Sequence, residues 1–154
     1  MRAIRLVPCV MAGLMVSMSA AFGAEWGLKE GTPEIKSAGA LAFGPDGILF
    51  VGDAKGATVF AIGTGDTKGD PSKVQLNVSG LNVKVAETLG VNADKITIND
   101  LAVNPLTGNV FLSVTKAGSA AVVKVAADGK LSQVSLAKVA FQKVELPNAP
   151  EDKE

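Results

Sequence analysis

The stretch LAFGPDGILFVGD, residues 41–53, encodes a short apolar strand, a tight turn and a longer apolar strand. In the turn, Pro45 presets a negative φ, and Gly47 can adopt the positive φ that a tight hairpin requires. The stretch LAVNPLTGNVFLSV, residues 101–114, repeats this order of strand, Pro/Gly turn and strand. The chain therefore holds two copies of one β-hairpin unit.

Further strands extend each hairpin into an antiparallel sheet. In the first unit, ATVFAI at residues 57–62 follows the hairpin, and Val74, Leu76 and Val78 then alternate after a polar, glycine-rich loop. The second unit begins with ITINDLAV at Ile96, and AAVVKV and LSQVSL follow its hairpin, separated by an ADGK turn. These patterns predict about four strands in each unit.

The apolar runs ILFV and VFLSV lack the alternation expected of a strand with one face in water. Strands buried on both faces have such runs, and the blades of a β-propeller are stacked face to face. The predicted fold class is all-β: an incomplete β-propeller of about two antiparallel four-stranded blades. A closed ring typically has four to eight blades. Three interpretations remain open: an N-terminal fragment of a longer propeller, a ring completed by several copies, or a small β-sandwich.

One helix is expected between the two units. Leu81, Val85 and Leu89 recur at helical spacing, and Gly90 is a natural C-terminal stop. The domain is predicted to span residues 24–146, opening with a lead-in strand that ends near Gly39. Residues 147–154 carry two prolines and several charges without periodicity, which predicts a polar tail or a truncated linker.

Residues 1–23 have the parts of a secretory signal peptide. Arg2 and Arg5 form a basic start, residues 10–22 are apolar, and Ala21 and Gly23 supply the small residues of a cleavage site. An uncleaved anchor is the alternative, but the apolar run is shorter than the roughly 20 residues that span a bilayer. We expect cleavage, no transmembrane span afterwards, and an exported protein in the periplasm or outside a bacterial cell.

Composition excludes several chemistries. The single Cys lies in the leader, as do both Arg residues, and the chain has no His. A mature chain would therefore have no disulfide, no thiol nucleophile, no His base and no His-bearing metal site. The 15 basic and 15 acidic residues balance and form no basic stripe, so nucleic acid is not an expected partner. The string GTGDTKG lacks the spacing of a phosphate loop, so no nucleotide or other cofactor is predicted.

The repeated strings carry a family resemblance. Residues 41–62 and 96–136, with their Pro-Asp-Gly and Pro-x-x-Gly turns, resemble blades of NHL-repeat and gluconolactonase-like (senescence marker protein) β-propellers. In the lactonase-like group, an Asn-Asp pair before such a turn can carry a ligand-contacting Asn in the central pocket. The resemblance therefore implies that Asn99 and Asp100 contact a ligand or a metal ion.

Each candidate site also has a structural interpretation. Asn99 and Asp100 can cap neighbouring backbone groups at a strand edge. Asp66 and Asp70 lie four apart among glycines and could hold calcium through their oxygens, or could belong to a solvated loop that lacks the oxygen ladder of a calcium loop.

Two functions follow from these observations. The first is a non-catalytic binding or scaffold module of the bacterial envelope, whose partner is a protein, a glycan or an envelope component. The alternative is a metal-dependent lactonase-type hydrolase, of which only the N-terminal part is present, using a divalent ion such as calcium to polarise a carbonyl. Fold alone does not decide between them, because propellers host enzymes, binders and scaffolds.

Overall fold

The computed structural model describes residues 26–147. These residues form nine strands and one α-helix: β1 (Lys29–Gly31), β2 (Leu41–Phe43), β3 (Ile48–Asp53), β4 (Thr58–Gly63), α1 (Leu81–Leu89), β5 (Ile96–Val103), β6 (Val110–Lys116), β7 (Ser119–Val125), β8 (Leu131–Gln133) and β9 (Val139–Glu145). The predicted all-β fold with one short inserted helix is confirmed. The predicted signal peptide and most of the predicted tail lie outside the described residues.

Two open antiparallel sheets make up the fold. The first sheet has the strand order β1-β9-β4-β3-β2, and the second has the order β5-β6-β7-β8. The second sheet is a simple meander, in which each strand pairs with the next one in the sequence. The first sheet contains both the earliest and the latest strand of the described chain, and is therefore assembled from its two ends.

The strand that pairs with β4 in the first sheet differs from the sequence prediction. Residues 74–78, predicted as a strand, form none, and β9 pairs with β4 in their place. Leu76 and Val78 instead pack on the hydrophobic cluster beneath α1. An extended segment without a strand partner can also bury one side, and its sequence then alternates like that of a strand. The prediction was wrong for this reason.

The main core lies between the two sheets. Leu49, Val51 and Phe60 of the first sheet pack in one cluster with Phe111 and Val122 of the second. The rings of Phe43 and Phe111 meet edge to face, with centroids 5.1 Å apart. The run VFLSV of β6 is buried, as its unbroken apolar pattern predicted, whereas Phe50 in the run ILFV of β3 is 38% exposed. The prediction of burial on both faces was therefore wrong for the first sheet.

A second core lies on the opposite side of the second sheet. Val85 and Leu89 of α1 pack on Leu112, Val114 and Val123. Gly90 ends the helix in the left-handed conformation, with φ of 68°, as the sequence predicted. The second sheet is therefore covered on both faces, by the first sheet and by the helix.

The two Pro/Gly turns hold their hairpins in different ways. In the first turn, Asp46 and Gly47 both have positive φ, 53° and 71°. In the second turn, Gly108 has a φ of 73°, and a Cβ there would stand 2.6 Å from Cγ2 of Val74. The second glycine is thus required by close packing as well as by its backbone angle. Within residues 26–147, no helix is long and apolar enough to cross a membrane.

Candidate functional site

Asn99 and Asp100 lie at a bulge in β5, where the pairing with β6 shifts register. The amide nitrogen of Asn99 donates hydrogen bonds to the Ala38 carbonyl at 2.7 Å and to the Thr115 hydroxyl at 2.9 Å. Asn99 and Asp100 are adjacent on β5, an edge strand that faces the first sheet. Asn99 therefore ties the second sheet to the segment leading into β2.

Asp100 makes a matching contact. Its carboxylate accepts the N–H of Leu41 at 2.9 Å and the N–H of Leu101 at 2.8 Å. These two bonds, the Leu41 bond first, lower the pKa of Asp100 below the ordinary Asp value. Both bonds satisfy backbone donors at sheet edges, so the contacts of the Asn-Asp pair are those of the capping interpretation.

Asp66 is the centre of a hydrogen-bonded network that joins the two units. Its carboxylate accepts from the Thr107 hydroxyl at 2.7 Å, and from the amides of Asn104 and Asn109 at 2.9 Å each. The ammonium of Lys124 lies 3.4 Å away. The side chain of Asp66 is only 9% exposed, so the loop after β4 is fastened to the turn between β5 and β6.

These partners stabilise the ionised form of the Asp66 carboxylate. Burial alone would raise the pKa of Asp66, but the bonds from Thr107, Asn104 and Asn109 and the charge of Lys124 outweigh it. The net result is a pKa below the ordinary Asp value. The carboxylate is therefore ionised at neutral pH and is fully occupied with protein donors.

Asp70, the other candidate for a calcium loop, has separate partners. Its carboxylate lies 2.8 Å from the Lys73 ammonium and accepts the N–H of Ser72 at 3.1 Å, capping a short 3-10 turn at Pro71–Lys73. The bond with Lys73, then those with Ser72, lower the pKa of Asp70. Asp66 and Asp70 thus bind different groups.

Among residues 26–147, no three His, Cys, Asp or Glu side chains cluster as a metal site would require.

Asp53 is a buried carboxylate that the sequence reasoning missed. It accepts the N–H groups of Lys36, Ser37 and Gly56 at 2.7 to 2.9 Å, and the Ser37 hydroxyl at 2.7 Å. Burial opposes its ionisation, yet the bonds from Ser37, Lys36 and Gly56 outweigh burial and lower the pKa of Asp53. The sequence signal is an Asp at a strand end with Gly three residues later.

A charged cleft lies on the core side of the first sheet, beside β4 and β9. It has a volume of about 290 Å³, and its walls include Glu34, Lys36, Lys143 and Glu145. The Lys143 ammonium and the Glu145 carboxylate are 2.7 Å apart, which raises the pKa of Lys143 and lowers that of Glu145. Lys143 and Glu145 therefore form an exposed ion pair on one wall of the cleft.

The opposite side of the first sheet is apolar and largely exposed, except at the end where Ile48 is buried and Leu28 packs near Gly63. We call it the outer face; its main residues are Ala42, Phe50, Val59, Ala61, Gln142, Val144 and Leu146. Phe50 is 38% exposed and Val144 63% exposed. A trough of about 420 Å³ runs over this face between Ala40, Gly52 and Leu146. A smaller apolar patch consists of the exposed residues Leu101, Val103 and Leu106.

Comparison with models of protein families, with curated proteins and with solved structures found no significant match. The resemblance to NHL-repeat and gluconolactonase-like blades therefore remains a prediction from the sequence.

Proposed function

We propose that the protein is an exported, non-catalytic binding or scaffold module that acts through the outer face of its first sheet. The observation that carries the proposal is the exposure of Phe50, Val144 and Leu146 on one continuous sheet face. An uncovered apolar patch of several hundred Å² on a soluble domain is typical of an interaction site. Export rests on the basic and apolar pattern of residues 1–23.

The polar side chains support a binding role over catalysis. Asp53, Asp66 and Asp100 each accept hydrogen bonds that fasten one part of the chain to another. A general acid or base has to be free to exchange a proton with a substrate. The amide nitrogen of Asn99 donates to two protein oxygens, which is the role of a residue that ties the two sheets together.

A photo-crosslinking experiment tests the binding role. The protein is expressed in its native host with benzoylphenylalanine at position 144, on the outer face, or at position 83, an exposed valine on α1. We expect a discrete adduct from position 144 and none from position 83. Equal labelling at both positions, or no adduct from position 144, would overturn the proposal.

Two further measurements address export and the hydrolase alternative. The mass of the protein isolated from the cell envelope should correspond to a chain beginning at Ala24, whereas an intact leader would contradict cleavage. The melting temperature should not change when millimolar calcium replaces a chelator. A rise that disappears in Asn99→Ala, with the fold intact, would instead support the metal-dependent hydrolase.

A further inference from the structure

We infer that the charged cleft of the first sheet binds a free α-amino acid with an apolar side chain, held by its ammonium and carboxylate groups. The site is separate from the outer face, because the cleft opens on the core side of the sheet. Three observations support such a ligand: a wall that is fixed in place, an acid and a base without ion-pair partners, and an apolar floor.

One wall of the cleft is the segment 32–36, which follows β1. Its far end is fastened by Asp53, whose buried carboxylate accepts the N–H of Lys36 at 2.7 Å. Pro33 is buried, whereas Glu34 and Lys36 line the cleft. The backbone of this wall is therefore held in place without a ligand, which reduces the cost of ordering the site on binding.

The opposite wall belongs to β9, where the Lys143 ammonium and the Glu145 carboxylate pair at 2.7 Å. The pKa of Lys143 is raised first by Glu145 and then by the charge of Glu34, which lies on the facing wall. Each wall thus carries one acid and one base, and the four charges cancel. A ligand without net charge matches such a cleft.

Glu34 and Lys36 are the charges available to a ligand. Neither forms an ion pair with another side chain of residues 26–147. A carboxylate binds an ammonium group, and an ammonium group binds a carboxylate, through charge-assisted hydrogen bonds. A simple anion or cation would pair with one of these side chains and meet the like charge of the other. A zwitterion pairs with both.

The floor of the cleft is apolar and small. Phe60 of β4 and Phe141 of β9 project from the sheet into the cleft lining, with ring centroids 6.3 Å apart. Small-molecule sites are typically about 300–1,000 Å³, with apolar linings and a few polar groups that orient the ligand. The volume of about 290 Å³ is at the lower end of this range. The cleft therefore suits a single amino acid whose apolar side chain contacts the two rings.

Nuclear magnetic resonance of the purified, ¹⁵N-labelled protein tests the inference. Leucine is the probe, titrated from about 10 µM to about 10 mM, the range of weak small-molecule binding. Leucinamide lacks the carboxylate, and N-acetylleucine lacks the ammonium group. We expect leucine to shift the amide resonances of residues 34, 36 and 143 saturably, and each analogue to bind at least tenfold more weakly.

Two pairs of variants test the contacts. Glu34→Gln and Lys36→Met each remove one charge from the cleft, and Glu87→Gln and Lys84→Met make the same changes at exposed positions of α1. We expect each cleft variant to weaken leucine binding at least fivefold and the α1 variants to leave it unchanged. The same spectra show whether each variant is folded.

Three results would overturn the inference: no saturable shift at the cleft up to about 10 mM leucine, equal affinity for leucine and either analogue, or cleft variants that bind leucine as wild type does. The photo-crosslinking at position 144 probes the outer face separately, so failure of the amino acid site and failure of the proposed function are distinguishable.

Discussion

At the scale of single residues, the most consequential side chain is Asp66. Removing its carboxylate takes the acceptor of the buried Thr107 hydroxyl and one of the two acceptors of the buried Asn104 amide, which keeps the Asp66 backbone carbonyl. Hydrogen bonds to a charged group contribute about 1.5–3 kcal/mol each, and their losses within one network do not simply add. We expect Asp66→Ala to lower the free energy of unfolding by about 3 kcal/mol, measured by urea denaturation.

Asp70→Ala is the control for this prediction. Its carboxylate is exposed and caps only a short turn, so its loss should lower the free energy of unfolding by about 1 kcal/mol or less. Equal effects of the two variants would contradict the assignment of Asp66 as the fastening point between the two units.

The pKa values of Asp53 and Asp66 predict an acid-sensitive fold. Both pKa values are lowered in the folded protein, so the unfolded chain takes up these protons at a higher pH than the folded chain. Their stabilisation is fully present above the unfolded value of about 3.9, and is lost as pH falls through the lowered folded values. We expect the melting temperature to be flat from pH 7 to about pH 5 and to fall steeply below about pH 4.

The same titration should be shallower in Asp66→Ala, because one of the carboxylates with a lowered pKa is gone. A melting temperature that rises on acidification below pH 4 would show that these carboxylates are not held in ionised form by the fold.

The sequence identified some of these residues as candidates, but it did not indicate their roles. Asp66 was singled out for its glycine-rich loop, yet its partners Asn104, Thr107 and Asn109 lie about 40 residues further on. Asn99 and Asp100 were singled out from a family pattern, and their partners belong to the other sheet. A sequence shows which side chains can accept hydrogen bonds. Which donors bind a given carboxylate depends on tertiary packing.

At the scale of elements, β9 completes the first sheet. Its residues pair with β4 on one side and β1 on the other, and Phe141 packs against the main core. Ending the chain after Lys138 would expose the edge of β4 and the ring of Phe60. We expect this truncation to abolish cooperative thermal unfolding, followed by circular dichroism.

A chain ending after Pro147 is the matched control, because it keeps every strand of the described fold. It should retain the melting temperature of the full-length mature protein within a few degrees. A cooperative, unshifted transition in the chain ending at Lys138 would mean that β9 is dispensable.

The helix α1 should stabilise the fold through the face it buries. Leu89 is almost fully buried against the second sheet, whereas Val83 on the same helix is 47% exposed. Leu89→Ala should lower the free energy of unfolding by about 2–4 kcal/mol through lost burial and a cavity, and Val83→Ala by less than about 0.5 kcal/mol. Chemical denaturation measures both, and similar values for the two variants would argue against the packing of α1.

At the scale of the whole molecule, the second unit was predicted well and the first only in part. The strands of the second sheet follow one another along the chain, so local strand and turn signals are enough to place them. The first sheet takes β1 and β9 from the two ends of the described chain. No local pattern specifies such a pairing, and VAFQKVE, residues 139–145, does not alternate apolar and polar residues as a strand with one face in water would.

The pairing of β1 with β9, the first and last strands of the described residues, limits the order in which the sheets can form. A polypeptide that emerges N-terminus first, from a ribosome or through a membrane pore, presents β4 long before β9 is available. The second sheet lies on a continuous stretch and can form early, whereas the first must wait for residues 139–145. Closing so distant a pair is slow. The first sheet is therefore completed only after β9 is available, whereas the second sheet can form before it.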